Sequence, residues 1–283
     1  MKRRLFQLFA ALGQNGYYLG FKNSSIYQGS LKEICAPTLN CYACPGAVFA
    51  CPIGTLQHFV IVGQAVPYYV AGYLAAIGAV VGRMTCGWLC PFGFVQDLLY
   101  KIKSVKISIP RIFVYFKYVV LVGLVLVITY IFQEPWFSKL CPDGLLIGGL
   151  PWSIMDGNIR DMLRQMFWIK LGILSVYITW STAAKRPFCR TSCVLGTIYS
   201  FFNAFSFYQM RVDEGRCTRC NRCRDVCPMD IAIYRNTRSV ECIRCLECTA
   251  CPCVEHRTVL SGDRQAPEPA PQTAPAPAAE GWY

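Results

Sequence analysis

Near its C-terminus the chain reads Cys217-x2-Cys220-x2-Cys223-x3-Cys227-Pro228, then Cys242-x2-Cys245-x2-Cys248-x2-Cys251-Pro252. The first run is the bacterial spacing for holding a [4Fe–4S] cluster, and the second repeats it one residue short. Disulfide frameworks belong to small secreted domains with irregular spacings, which these are not. Zinc sites of this size ordinarily recruit histidine, and the chain has only His58 and His256. The segment must therefore wrap around inorganic clusters, so it cannot be an ordinary apolar-core domain.

The rest of the chain has a different character. Mean hydropathy is +0.34 and 54% of residues are hydrophobic. A membrane-spanning helix needs ~20 mostly apolar residues. Leu5–Phe21, Phe59–Gly82, Ile112–Phe132 and Phe167–Ala184 are the candidates, interrupted only by Lys117 and Lys170 in the last two. The net charge of +12 does not point to nucleic acid, because the basic residues gather at span ends. Lys2, Arg3 and Arg4 precede the first span, and Arg83, Lys101, Lys103, Lys106 and Arg111 lie between the second and third. Lys185, Arg186 and Arg190 follow the fourth. With four spans all three groups fall on one side, the cytoplasmic one. The apolar stretch after Arg4 lacks a small-residue cleavage site, so it reads as a retained span.

The expected fold is an α-helical membrane protein of four transmembrane helices with a C-terminal two-cluster ferredoxin-like domain. Residues 1–210 form the membrane domain, 211–260 the ferredoxin-like domain, and 261–283 a Pro/Ala-rich disordered tail. Val194–Met210 is also uncharged. It reads as an interfacial or bundle-packed helix, since a fifth crossing would move the cluster domain outside.

One short element recurs: Cys51-Pro-Ile-Gly54, Cys90-Pro-Phe-Gly93, Cys141-Pro-Asp-Gly144 and Cys193-Val-Leu-Gly196. The two inner copies extend to Arg83-x2-Cys86-x3-Cys90 and Arg186-x2-Cys189-x3-Cys193. Together Cys86, Cys90, Cys189 and Cys193 supply the thiolate number a cubane needs. The adjacent arginines favour thiolate, and buried free cysteines are the plain alternative. The outer loop, 22–58, holds Cys35, Cys41, Cys44 and Cys51, and the other outer loop adds Cys141. Which four of these five bind is open, as is a disulfide reading for an outward loop.

These residues resemble a known family. Arg3-Arg4-Leu-Phe-Gln7 before the first span, Cys86-x3-Cys90-Pro after the second, Cys189-x3-Cys193 after the fourth, and two ferredoxin motifs are similar to the membrane-bound 4Fe–4S quinol dehydrogenase (NapH-like) family. Membrane regions of nitrous oxide reductase regulators and oxidase-assembly polyferredoxins are related to it. The resemblance covers roughly residues 1–255. It implies a four-helix inner-membrane protein with a cytoplasmic ferredoxin domain, exchanging electrons with the quinone pool or a redox partner. The chain departs in having Val194 after Cys193, the shortened second run, and the cysteine-rich outer loop.

In two-cluster ferredoxins the fourth cysteine of each run serves the other cluster. That rule groups Cys217, Cys220, Cys223 and Cys251, and separately Cys242, Cys245, Cys248 and Cys227, with Cys253 competing with Cys251. The expected cofactors are two [4Fe–4S] clusters there, one at the inner Cys-x3-Cys pairs, one in the outer loop, and a quinone. Expected partners are the lipid bilayer, other subunits of a redox complex and the quinone pool, with no nucleic acid. The function is electron transfer between the quinone pool or an extracytoplasmic partner and the cytoplasmic clusters. The alternative is a membrane reductase assisting metal-cofactor maturation. Gln57, His58, Asp97 and Glu134 are candidates for proton handling at a quinone site, each with an ordinary interfacial role as the simpler reading. Inner and outer sites on opposite faces would lie across a core ~30 Å thick, long for one tunnelling step, so either the outer loop dips inward, with residues 144–155 as a re-entrant candidate, or another carrier lies between.

Overall fold

The computed structural model describes residues 2–63, 68–155 and 157–258, with the side chains of 2, 111 and 157–164 left aside. The expected tail, 261–283, lies outside them.

The chain is mostly helical. Lys2–Gln14 forms the first helix and ends before Asn15, so the first apolar stretch, Leu5–Phe21, is not one continuous helix. Phe59–Gly82 is not one described helix. Pro52–Val62 ends on Gly63 at φ 66°, a left-handed cap that glycine tolerates, and Tyr68–Val81 follows. Ile112–Phe132 is continuous through a π-helical stretch and is long and apolar enough to cross a membrane. Gly157–Ala183 is a 27-residue helix covering most of the fourth expected span. Val194–Phe202 has nine residues, too short to cross, and its first turns are buried in the bundle. After it the chain turns into strand β1, Tyr208–Val212, which pairs antiparallel with β2, Val254–Thr258, in the register Met210 to His256. This ribbon closes the cysteine-rich segment into a unit beginning at Tyr208.

That unit is clamped to the helices by polar contacts. The Arg83 guanidinium donates to Glu241 Oε2 at 3.0 Å and to Val240 O at 3.0 Å, and Lys117 pairs with Glu241 Oε1. Arg3 pairs with Glu247 at 2.8 Å. Asn203 Nδ2 donates to the carbonyls of Ser239, Val240 and Cys242, and its Oδ1 accepts from Arg83 N. Arg83 and Lys117 are fully buried, so their charges demand the carboxylate. Burial alone would raise Glu241, but Arg83 and Lys117 hold it below the usual carboxylate range.

The outer loop does not stay on its own side. Thr38 Oγ1 donates to Gln14 Oε1 at 2.6 Å, Asn40 Nδ2 to Gln14 O, and Gln14 Nε2 to Leu89 O at 3.0 Å. Leu89 lies between Cys86 and Cys90. Tyr199 Oη reaches Pro37 O at 3.2 Å. The loop is thus tied inward to the segment carrying the inner cysteines.

Candidate iron–sulfur sites

The recurring Cys-Pro-x-Gly element is a helix start. Cys51, Cys90, Cys141 and Cys193 all occupy the N-cap with extended backbone, and proline or valine takes the first helical position. In three copies the glycine two places into the helix donates its N–H to the capping sulfur: Gly54 to Cys51 at 3.5 Å, Gly93 to Cys90 at 3.4 Å and Gly196 to Cys193 at 3.3 Å. A sulfur at a helix N-terminus faces unpaired amides and a positive dipole end, which suits an anionic ligand.

The inner cysteines form a crossed pair. Cys86 sits in Met84–Trp88 and Cys189 in Pro187–Thr191, and Cys90 and Cys193 cap the helices that follow. Each arginine serves the other half. Arg83 Nη2 donates to Cys189 O at 3.3 Å, and Arg186 Nη1 donates to Cys86 O at 2.9 Å. A methyl group on Gly196 would meet Arg83 Nη2 at 2.9 Å, and one on Gly93 would meet Arg186 Nη1 at 3.1 Å. The glycines therefore leave room for the guanidinium groups. Cys86, Cys90, Cys189 and Cys193 act on one another electrostatically, with Arg83 and Arg186 beside them. Arg186 is held bidentate by Asp97 at 2.7 Å on both oxygens, and Arg3 also reaches Asp97. One buried Arg83 nitrogen, Nε, has no protein partner. Gln96 Nε2 donates to Cys189 Sγ at 3.2 Å.

In the cysteine-rich loop, Cys41, Cys51 and Cys141 act on one another electrostatically, and Cys44 acts on Cys41. Cys35 bridges through its backbone to Ala50, beside Cys51, and its Sγ meets Thr55 Oγ1 at 3.9 Å. Gly148, in the π-helical Leu145–Gly149, makes room for Cys41: a methyl there would sit 3.2 Å from its sulfur. Asp143 is 1% exposed, its Oδ1 is unpartnered, and burial pushes its carboxyl up to about 8. Asp143 acts on Cys41, Cys44, Cys51 and Cys141, and also on Cys90 of the inner set. Its charge is thus felt by thiols of both sets.

In the ferredoxin-like unit, one pocket is lined by Cys227, Cys242, Cys245 and Cys248, and a second by Cys217, Cys220, Cys223, Cys251 and Cys253. This is the crossed grouping expected from the two runs. Cys251 and Cys253 stand 2.8 Å apart, sulfur to sulfur, so both face the second pocket. The first pocket adjoins the helices. A methyl on Gly87, between Cys86 and Cys90, would lie 2.6 Å from Ile243 O and 3.6 Å from Cys245 Cα. Trp88 Nε1 donates to Arg244 O at 3.1 Å in the same contact.

Among the described residues, no three His, Cys, Asp or Glu side chains close around a single metal ion. The thiol lining of the two pockets, Cys227, Cys242, Cys245 and Cys248 in one and Cys217, Cys220, Cys223, Cys251 and Cys253 in the other, fits an iron–sulfur cluster in each. The orphaned Arg83 Nε and the thiol-only donor sets fit the same group. Burial pushes the thiols of Cys227, Cys242 and Cys245 up, and that of Cys248 to about 12. Loading these sites must therefore release protons.

The side chains considered for proton handling have structural roles. Gln57 is fully buried between Thr129 Oγ1 and Ser138, at 2.9 and 2.8 Å. Asp97 is taken by two arginines, and exposed Glu134 pairs with Lys139. His58 is exposed and only edges the Phe59 ring. Sequence reasoning passed over Glu241, Gln96, Asp143 and Asn203. Only Asp143, the one charged residue inside a Cys-Pro-x-Gly element, carried a visible signal.

A 4Fe–4S binding domain family matches residues 48–65 and 68–110, which include Cys51, Cys86 and Cys90, and a second 4Fe–4S binding domain family matches 210–232. MJ0750 of Methanocaldococcus jannaschii is 32% identical over 206 residues, covering 68% of this chain and 79% of that protein. YccM of Escherichia coli K12, named for electron transport, is 23% identical over 66% of this chain and 55% of its own length. The methylamine utilization ferredoxin-type protein MauN of Methylobacillus flagellatus is 24% identical over 56% of this chain and 52% of its own. The chain thus spans about half of the latter two. No solved structure matches it. By its likeness to MJ0750 across most of both chains, and by its matched domains, the chain belongs to the MJ0750 family as a 4Fe–4S binding protein.

Proposed function

We propose that the chain is an iron–sulfur electron-transfer subunit of a membrane redox complex in a prokaryotic inner membrane. In this reading residues 1–210 are a four-span membrane domain and 211–260 a cytoplasmic ferredoxin-like domain. Electrons pass between the quinone pool, or an extracytoplasmic partner, and the ferredoxin-type sites. The NapH-like resemblance and the names of YccM and MauN support the direction of this reading.

The observation that carries it is the adjacency of four thiol sets in a row. They are Cys217/Cys220/Cys223/Cys251, then Cys227/Cys242/Cys245/Cys248, then Cys86/Cys90/Cys189/Cys193 across Gly87, then Cys41/Cys44/Cys51/Cys141, with the loop that carries Cys41 tied through Gln14 to Leu89. A [4Fe–4S] cluster held at each supplies a one-electron carrier. The residues' own part is to fix the order: Glu241 and Asn203 hold the second set against Gly87, and Gln14 holds the outer loop against Leu89. The inward loop removes the ~30 Å gap that a bilayer would otherwise impose.

The test is reconstitution of the anaerobic protein into vesicles that enclose a water-soluble acceptor, with reductant supplied outside. Wild-type protein should reduce the enclosed acceptor, and a Cys189→Ser/Cys193→Ser variant should not. Equal rates would remove the transmembrane route and favour the second reading, a reductase serving cofactor maturation. The outward loop with buried thiols beside Asp143 is the observation favouring that reading.

A further inference from the structure

The ferredoxin-like unit spends much of its acidic charge on the helices. Glu241 meets Arg83 and Lys117, Glu247 meets Arg3, and Asp230 meets Lys185 as well as Arg224. What remains outward is basic. Over residues 208–258 six arginines are exposed against three carboxylates, Glu214, Asp225 and Glu255. The excess is concentrated at the second pocket, where residues 216–224 contain four arginines and no carboxylate before Asp225.

Cys220 is the exposed thiol of that pocket, and Arg219 and Arg222 flank it, both exposed. Among the described residues, neither arginine pairs with a carboxylate, whereas Arg216 is paired with Asp213 at 3.3 Å. Exposed Arg235 lies over the Tyr234 ring at 5.8 Å, and Tyr234 lines the same pocket. The outermost redox site is therefore reached through a positive rim. Exposed arginines around such a site raise the local concentration of an oppositely charged partner and orient its approach.

We propose that this rim is the docking face for a soluble, acidic one-electron carrier protein. The inference rests on the reading of the second pocket as a [4Fe–4S] site. In the exchange one electron leaves the carrier's reduced centre and reduces the cluster at Cys217/Cys220/Cys223/Cys251 from 2+ to 1+. No bond forms or breaks, and no proton is needed.

The probe is a reduced acidic bacterial ferredoxin mixed by stopped flow with the oxidised full-length protein under anaerobic conditions. The bimolecular rate should fall at least tenfold between about 20 and 200 mM salt. Arg219→Glu/Arg222→Glu should lower the low-salt rate by about tenfold or more, leaving iron content and reduction by dithionite unchanged. If the charge reversal costs iron, Arg219→Gln/Arg222→Gln replaces it, and a smaller loss of rate is expected. A rate indifferent to salt, or unchanged in a variant that retains its iron, overturns the proposal. So does a variant that loses only binding to vesicles of anionic phospholipid, which would make the rim a lipid contact. Absence of iron from the wild-type ferredoxin-like unit would instead defeat the cluster reading beneath it.

Discussion

Replacing Glu241 by glutamine should loosen the ferredoxin-like unit without unfolding either part. The carboxylate faces two cations that are both 0% exposed. Arg83 keeps the carbonyls of Val240 and Cys189 as acceptors, so its loss is partial. Lys117 loses its counter-charge and keeps a neutral amide oxygen and the Tyr118 ring, 5.2 Å away. Breaking a buried pair by removing one partner costs ~3–5 kcal/mol, and the lower end applies because glutamine still accepts a hydrogen bond. About 3 kcal/mol is a factor of roughly one hundred in the docked-to-undocked ratio. Asn203, Arg244 and the Arg3–Glu247 pair remain, so the unit stays docked on average but opens more often. Hydrogen exchange of peptides covering 239–249 should then accelerate by about that factor. Adding Lys117→Met removes the stranded cation and should recover about tenfold or more of the lost protection. The reasoning is refuted if Glu241→Gln exchanges like wild type, or if the double variant exchanges as fast as the single one while iron content is unchanged.

Other outcomes follow from the same geometry. Cys141→Ser should lower iron by about four atoms per chain and Cys35→Ser by none, read by metal analysis of anaerobic protein. Gln96→Leu removes the N–H donated to Cys189 Sγ and should lower the midpoint potential of the inner site by tens of millivolts, measured by redox-poised EPR. Burial favours the neutral form of Asp97, but Arg186 and Arg3 overrule it and hold the carboxyl below its usual value. Its stabilisation is therefore full above the ordinary carboxylate range and lost as pH falls below about 4. Asp97→Asn should cost ~3–5 kcal/mol at neutral pH and remove that acid limb in pH-dependent unfolding.

Spacing made the thiol groups legible because iron–sulfur ligation fixes residue intervals, and each Cys-Pro start is a local matter of one turn. The crossed grouping of Cys227 with the second run, and of Cys251 or Cys253 with the first, follows from such intervals. How Cys35 is placed was not readable, because its Sγ meets Thr55 twenty residues on, a contact set by packing. The same holds for the inward loop. Gln14 reads as a polar residue in a weak span, yet its two hydrogen-bonding ends join Thr38 to Leu89. Hydropathy also read Phe59–Gly82 as one span, since a window average passes over the left-handed cap at Gly63 that ends the helix Pro52–Val62. That Lys117 sits inside a span allows either pairing within the bundle or snorkelling, and its carboxylate partner lies 124 residues away, beyond any sequence pattern.

The account's central claim is four adjacent cluster sites in one chain. Iron and acid-labile sulfide per chain, measured on anaerobically purified protein with EPR at graded potentials, test it most directly. The account predicts about sixteen iron atoms and magnetic interaction among the reduced centres. About eight, with the signals of two centres only, would confine the iron to the ferredoxin-like unit and contradict it.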